Sequence, residues 1–215
     1  MVNIGELLKR PISDKQWPAK IAIGGVVSVV PILQFCTFGY IVTLIRQTLK
    51  KEEVILPEWT NWGKLFTDGI IYFVIGLIYM IIPGLVFGIG MALGGINLGI
   101  LSMLFRSFVI FLSCIVFLAA SFILPMAICH YVATEDLKSA FSWKGIQDRI
   151  KATSKEYGTA YLITIGLYIA ASVCCMLLTF IFIGPIVAPF LSFYIGLIIM
   201  RMFAEIYPHN LPDEE

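Results

Sequence analysis

The sequence predicts an all-α, polytopic membrane bundle with four full spans, a first apolar segment broken at Pro31 that is either re-entrant or a fifth span, and interfacial amphipathic helices. Three observations carry this. Of 215 residues, 59% are hydrophobic and 13% charged, with a mean hydropathy of +0.92, so there are too few polar side chains to cover a water-soluble sphere. The charges gather at Lys9 to Lys20, Arg46 to Asp68 and Glu135 to Glu156, with Arg201, Glu205 and an acidic tail beyond; only Arg106 stands apart. Between these blocks run apolar stretches long enough to cross about 30 Å of hydrocarbon, where each charge would cost roughly 3 kcal/mol.

The chain reads as one membrane domain over 1–215, because no polar block is large enough for a second folded unit. Residues 1–20 form an interfacial N-terminus that is expected to stay attached, since the apolar run after it is longer than a signal-peptide core and no small-residue cleavage site follows. The broken first segment, 21–45, starts after Trp17-Pro18 and Lys20 and ends at Arg46. It holds Gly24-Gly25, Pro31 and then Gln34. A proline in mid-helix removes a hydrogen bond and clashes with the preceding turn, giving one kinked span or two half-helices. A hairpin turning at Val30-Pro31 is preferred, because it keeps Lys9, Arg10, Lys15 and Lys20 on the same side as the other basic residues.

Residues 46–68 form a cytoplasmic interfacial loop. Residues 69–133 form a helical hairpin, with spans from Gly69 to about Ile89 and from Phe108 to Ala133 joined by a Gly-rich link, Gly90 to Phe105. Residues 134–158 form a cytoplasmic amphipathic helix, in which Leu137, Phe141, Ile146, Ile150, Thr153 and Tyr157 make a stripe of about 3.6-residue period. Residues 159–207 form a second hairpin, Ala160 to Ile183 and Ile186 to Ile206, broken at Gly184-Pro185; 208–215 is an acidic tail. Pro83, Pro125 and Pro189 imply kinks. Lysine and arginine counts place both basic loops and the C-terminus in the cytoplasm of a plasma-membrane protein. Trp recurs beside Lys ahead of each oily run, at Trp17, at Trp59 and Trp62, and at Trp143, which suggests three parallel units.

Several residues carry a family likeness: Lys20-Ile-Ala-Ile-Gly-Gly25 after Trp17, Gly39-Tyr40, Arg46, then Leu56-Pro57-Glu58-Trp59, Trp62, and Leu65-Phe66 before Gly69. With these the chain resembles the prokaryotic integral membrane family known as domain of unknown function 4013. The resemblance implies a membrane protein of unknown activity and transfers no catalytic residue.

No GxSxG, HExxH or phosphate-binding loop is present, and there are only two histidines, so an enzyme is not expected and no catalytic residue, cofactor or metal is assigned. Cys36, Cys114, Cys129, Cys174 and Cys175 lie in apolar runs without CxxC spacing and read as core residues. The net charge of +1 disfavours nucleic acid as a partner. Gln34, Asp68, His130, Arg201 and Glu205 are polar residues that the topology could bring to a ligand cavity, with interfacial anchoring as the alternative. Trp59, Trp62, Lys138, Trp143, Lys144, Arg149, Lys151 and Lys155 form a membrane-interface or partner surface, facing anionic lipid or a soluble cytoplasmic partner. Small residues four apart, at Gly84 and Gly88, Gly90 and Gly94, Gly95 and Gly99, and Ala188, Ser192 and Gly196, signal close helix packing within the monomer or in a homo-oligomer. The leading expectation is a non-enzymatic membrane protein that binds or passes a small or lipidic ligand; the alternative is a scaffold working through its basic face.

Overall fold

The computed structural model describes residues 14–51, 56–94 and 99–208, which are helical throughout apart from turns and short connectors. In chain order the helices are α1 (Trp17–Val29), α2 (Gln34–Leu49), α3 (Trp62–Gly94), α4 (Ile100–Thr134), a 3-10 turn (Leu137–Phe141), α5 (Trp143–Ala152), α6 (Ser154–Thr179) and α7 (Gly184–Ile206). Four of them, α3, α4, α6 and α7, are long and apolar enough to cross a membrane. The contacts divide the chain into two compact units, one of residues up to Phe73 and from Met126 onward, the other Val74–Pro125.

The first apolar segment is broken, and its halves fold back on each other. Pro18 sits in the first turn of α1, where its missing N–H costs nothing. Val30 adopts extended angles, as the residue before a proline must, and the chain turns through Pro31–Leu33 into α2. In one straight helix Lys20 and Tyr40 would stand about 30 Å apart. Instead, the Lys20 ammonium donates to the Leu56 carbonyl and the Tyr40 hydroxyl to that of Pro57, each at 2.7 Å. Adjacent carbonyls cannot be reached from opposite ends of a rod, so the segment is a helical hairpin.

In this first unit α7 is the centre. Half of its most apolar window is buried in protein, against 6% for α6, and the unbroken buried run Leu197–Ala204 shows a helix covered on every side. Helices α1, α2 and α6 pack around it. Gly24 and Gly25 let α1 lie against the rings of Phe193 and Phe190, because a Cβ at either would overlap them. Between α2 and α3 the approach is closer and reciprocal: a Cβ on Gly39 would strike the Leu65 carbonyl and one on Gly69 the Phe35 carbonyl. The second unit pairs the remaining parts of α3 and α4, where Gly90 faces Val109. Its large side chains, among them Leu85, Phe87, Leu101 and Phe111, are exposed, as suits a lipid-facing surface.

The structure corrects several boundaries. The Gly-rich link is far shorter than Gly90 to Phe105: α3 runs to Gly94 and α4 begins at Ile100, since glycine stays helical where no water is at hand to take a freed backbone group. Gly95 lies outside the described residues, as do Lys9, Arg10 and the tail 209–215. The amphipathic stretch Asp136 to Tyr157 is three elements. Ser142 caps α5 by accepting from the Gly145 N–H, Asp136 starts the 3-10 turn in the same way, and Thr153 separates α5 from α6. Gly184-Pro185 does not form the last turn; that turn is Phe180–Phe182, and Pro185 lies in the first turn of α7, where proline is well tolerated. Pro83, Pro125 and Pro189 all lie inside continuous helices. The Trp pattern marks helix starts, with Trp17, Trp62 and Trp143 the first residues of α1, α3 and α5.

Candidate functional site

A cavity of about 540 Å³ opens beside the tip of the first hairpin, within the first unit. It is walled by Ser28 of α1, Gln34, Thr37, Phe38 and Ile41 of α2, Tyr72 of α3, Tyr168 of α6, and Pro185, Ala188, Pro189, Ser192, Phe193 and Gly196 of α7. The turn at Pro31 makes it: because α2 starts afresh at Gln34, an amide that would sit mid-span in an unbroken helix becomes the first residue of a half-helix. The Gln34 backbone N–H donates to the Val30 carbonyl at 2.9 Å, but its side-chain amide has no hydrogen-bond partner among the described residues. The local hydrogen bond that could have explained it structurally is therefore not made. A second cavity of about 190 Å³ shares Tyr168, Ala188 and Ser192 as walls and continues between α6 and α7 past Ala171, Cys175, Leu191 and Ile195. Tyr168 and Ser192 are exposed, so the cavity is open on the α6–α7 flank.

The other four candidates do not line this cavity. Asp68 pairs with Arg46 at 3.0 Å, and Arg46 also reaches Glu135 at 3.2 Å, so α2, α3 and the end of α4 are tied by one guanidinium. His130 is buried and its Nδ1 lies 2.9 Å from the Tyr207 hydroxyl, to which the Arg149 Nε also donates, at 2.8 Å. The Tyr207 hydroxyl thus joins His130 of α4 to Arg149 of α5. Arg201 donates to Glu205 one turn on, at 3.2 Å, and is itself buried. A single cavity shared by Gln34, His130, Arg201 and Glu205 is thus not what this space is: Asp68 is taken up by an ion pair between helices, Arg201 and Glu205 by one within α7, and His130 by Tyr207.

Arg149 departs most from its expected place. Reading α5 as a surface helix puts Arg149 in solvent, yet it is 2% exposed, bonded to the Gly145 carbonyl and lying over the Tyr207 ring at 5.5 Å. Its Nε and Nη1 donate to two acceptors while its plane lies over the ring, a fixed planar geometry that a lysine ammonium does not reproduce. Lys138, Lys144, Lys151 and Lys155 are exposed, as is Trp143.

Sequence reasoning missed the base of the hairpin. Lys20 is 3% exposed, and its three donors are met by Asp14 at 2.7 Å, Glu58 at 2.6 Å and the Leu56 carbonyl. Trp59 donates its indole N–H to the Lys20 carbonyl at 3.0 Å and stacks on Tyr40 at 4.3 Å and on Trp62 at 5.4 Å. Leu-Pro-Glu-Trp is therefore a clasp: two carbonyls, a carboxylate and an indole close the open end of the α1–α2 hairpin. The signal was a lysine four residues before Gly24, read only as an anchor.

The Lys20 ammonium, together with the Gln16 backbone N–H, holds the Asp14 carboxyl below its ordinary value of 3.8, against the opposing effect of burial. The unfolded chain takes up the proton at the ordinary value, and the folded chain only at lower pH. This stabilisation is then complete above the unfolded value and is lost as pH falls through the folded one. An Asp14→Asn protein is expected to show a flatter fall of thermal midpoint below about pH 4 than the parent, measured by scanning unfolding in detergent.

The small-residue pattern divides: Gly90 packs closely on Val109, while other members do not. Ala188, Ser192 and Gly196 wall the cavity, and a Cβ on Gly84 or Gly88 would meet nothing within 4 Å. A further space of about 610 Å³ in the second unit, lined by Met80, Pro83, Gly84, Phe87 and α4 residues including Phe117, is wholly apolar in character because its one serine, Ser113, bonds back to the Val109 carbonyl. No group of three or more metal-ligating side chains occurs among the described residues.

No curated protein and no solved structure matches the chain. A family model described as "Protein of unknown function (DUF4013)" matches residues 23–180, a stretch that takes in the later part of α1, all of α2, the Leu-Pro-Glu-Trp segment and the spans α3, α4 and α6; the chain is a member of that family.

Proposed function

We propose that the protein sits in the cell membrane with its C-terminus in the cytoplasm, and that it binds or passes a small or lipidic ligand, without chemical conversion, in the cavity at the hairpin tip. The observation that carries this is the unpartnered Gln34 amide in a cavity otherwise walled by helices of a membrane bundle. Gln34 is half-buried, so its uncommitted oxygen and NH₂ group are reachable from the open cavity and offer a polar guest both an acceptor and a donor. The open α6–α7 flank gives a route for a molecule dissolved in the bilayer. The test is native mass spectrometry of gently extracted protein, comparing the parent with Gln34→Leu, which keeps the volume and removes the amide. The expected result is at least a tenfold loss of a bound species at an unchanged thermal midpoint; equal occupancy in the two proteins would remove the reading.

One observation favours a second reading. Lys138, Trp143 and Lys144 are exposed together at the 3-10 turn and the start of α5, a combination suited to anionic headgroups or an acidic partner. Under this scaffold reading, neutralising Lys138, Lys144 and Lys151 weakens association and Gln34→Leu does not.

A further inference from the structure

The lining of the cavity specifies its guest more narrowly than its size does. Among the described residues, no Lys, Arg, His, Asp or Glu is one of its walls. Three of its hydroxyls have already spent their protons on their own helices: Ser28 Oγ donates to the Gly25 carbonyl at 2.7 Å, Thr37 Oγ1 to that of Gln34 at 2.6 Å, and Ser192 Oγ to that of Pro189 at 3.0 Å. What these oxygens retain is lone pairs. The Gln34 amide adds one acceptor and one NH₂ group, and the phenols of Tyr72 and Tyr168 add hydroxyls.

An anion finds little here. It would meet no cation, and burying an unpaired carboxylate or phosphate costs far more than the roughly 0.3–2 kcal/mol that a helix N-terminus returns. The first turn of α7 is moreover closed to it, since Pro185 has no N–H and the N–H groups of Ile186 and Val187 both donate to Ile183. A cation fares no better, with no carboxylate to meet and with two helices, α2 and α7, bringing their positive ends to the wall through Gln34 and Pro185. A group that is uncharged, donates hydrogen bonds to lone pairs and accepts one from an amide fits every wall. A hydroxyl does this. The adjoining slot of about 190 Å³, mostly apolar, is placed to take hydrocarbon attached to such a head.

We propose that the ligand is a neutral, hydroxyl-bearing amphiphile, of the kind represented by diacylglycerol, and not an anionic phospholipid. This rests on the reading of the cavity as a ligand site and narrows its substrate class.

The experiment incorporates purified protein into nanodiscs containing either dioleoylglycerol or dioleoylphosphatidylglycerol at equal mole fraction, and counts retained lipid by native mass spectrometry for the parent, Gln34→Leu and Tyr168→Phe. The expected result is retention of dioleoylglycerol that falls at least tenfold in Gln34→Leu and measurably in Tyr168→Phe, with phosphatidylglycerol retention the same in all three. Phosphatidylglycerol retention that depends on Gln34 as strongly would overturn the neutral-head assignment and leave the cavity a ligand site. Retention of both lipids insensitive to both substitutions would overturn the assignment, and the cavity reading would lose its support with it. Tyr168→Phe removes one oxygen from an exposed side chain, so it tests the site even if Gln34→Leu perturbs the turn.

Discussion

A Gly39→Val protein is expected to lose on the order of 3 kcal/mol of stability, the upper end of the usual overpacking cost, and to unfold roughly 10 °C below the parent in detergent. Where α2 crosses α3, Gly39 lies on the Leu65 carbonyl and Gly69 on the Phe35 carbonyl, so each helix offers its glycine to the other's backbone. A side chain at either place meets main chain, which cannot rotate away as a side-chain tip can. The helices would have to separate, carrying apart the Phe35, Phe38, Phe66, Tyr72 and Phe73 ring contacts between them. Gly69→Val should act alike. Gly76→Val is the control: it lies in the same α3, with nothing within 4 Å of an added Cβ, and the helix propensity of valine over glycine is slightly favourable. If all three variants unfold at the same temperature, the close crossing is not what fixes α2 on α3.

The same pair shows what the sequence could and could not disclose. Helix number and class were legible because a lipid environment leaves the backbone few options and composition records it. Pro31 was legible as a break because proline acts locally, through its own ring and the residue before it. Gly39 and Gly69 were visible only as parts of a family motif, since a glycine's close approach depends on a partner 26 or more residues away, and no local pattern names that partner. Arg149 was misplaced for a related reason. Periodicity sorts side chains by the face of one helix, whereas Arg149 is buried by Tyr207, which follows a different helix.

The candidate polar residues divide along the same line. Arg201 and Glu205 are one turn apart on a single helix, and their pairing could be read directly. Gln34 was recognisable because a polar residue after a proline in an apolar run has few ordinary explanations. Its cavity partners Ser28, Tyr72, Tyr168 and Ser192 come from four helices, and each alone is an unremarkable membrane-helix residue. The Ala188, Ser192, Gly196 stripe was seen as a packing face, and it also walls the cavity. Small side chains permit close packing only if a neighbour approaches, and here α2 arrives with Gln34 and Thr37 at its own start, so the space stays open.

Lys20→Met should be comparably damaging, with an expected loss of roughly 3–5 kcal/mol, the cost of breaking one side of a buried pair. The figure follows from what is left behind. Asp14, with a side chain only 7% exposed, keeps its carboxylate and loses its cation, and the Leu56 carbonyl loses its donor. Glu58, whose side chain is 61% exposed, is rehydrated and contributes little. Most of the cost is therefore a stranded carboxylate. A double variant, Lys20→Met with Asp14→Leu, removes that group and should recover about 2 kcal/mol relative to the sum of the single changes, a coupling typical of contacting residues. Additive effects in a chemical-denaturation cycle would show that Lys20 and Asp14 do not act as a pair. The consequence reaches the cavity, because the clasp fixes the open end of the α1–α2 hairpin while its tip carries Ser28 and Gln34. With the base released, Trp59 no longer holds Tyr40 against Phe193, and Phe193 is itself a wall of the cavity. Ligand retention by Lys20→Met should accordingly fall even below its new unfolding temperature, although Lys20 is not among the residues lining the cavity.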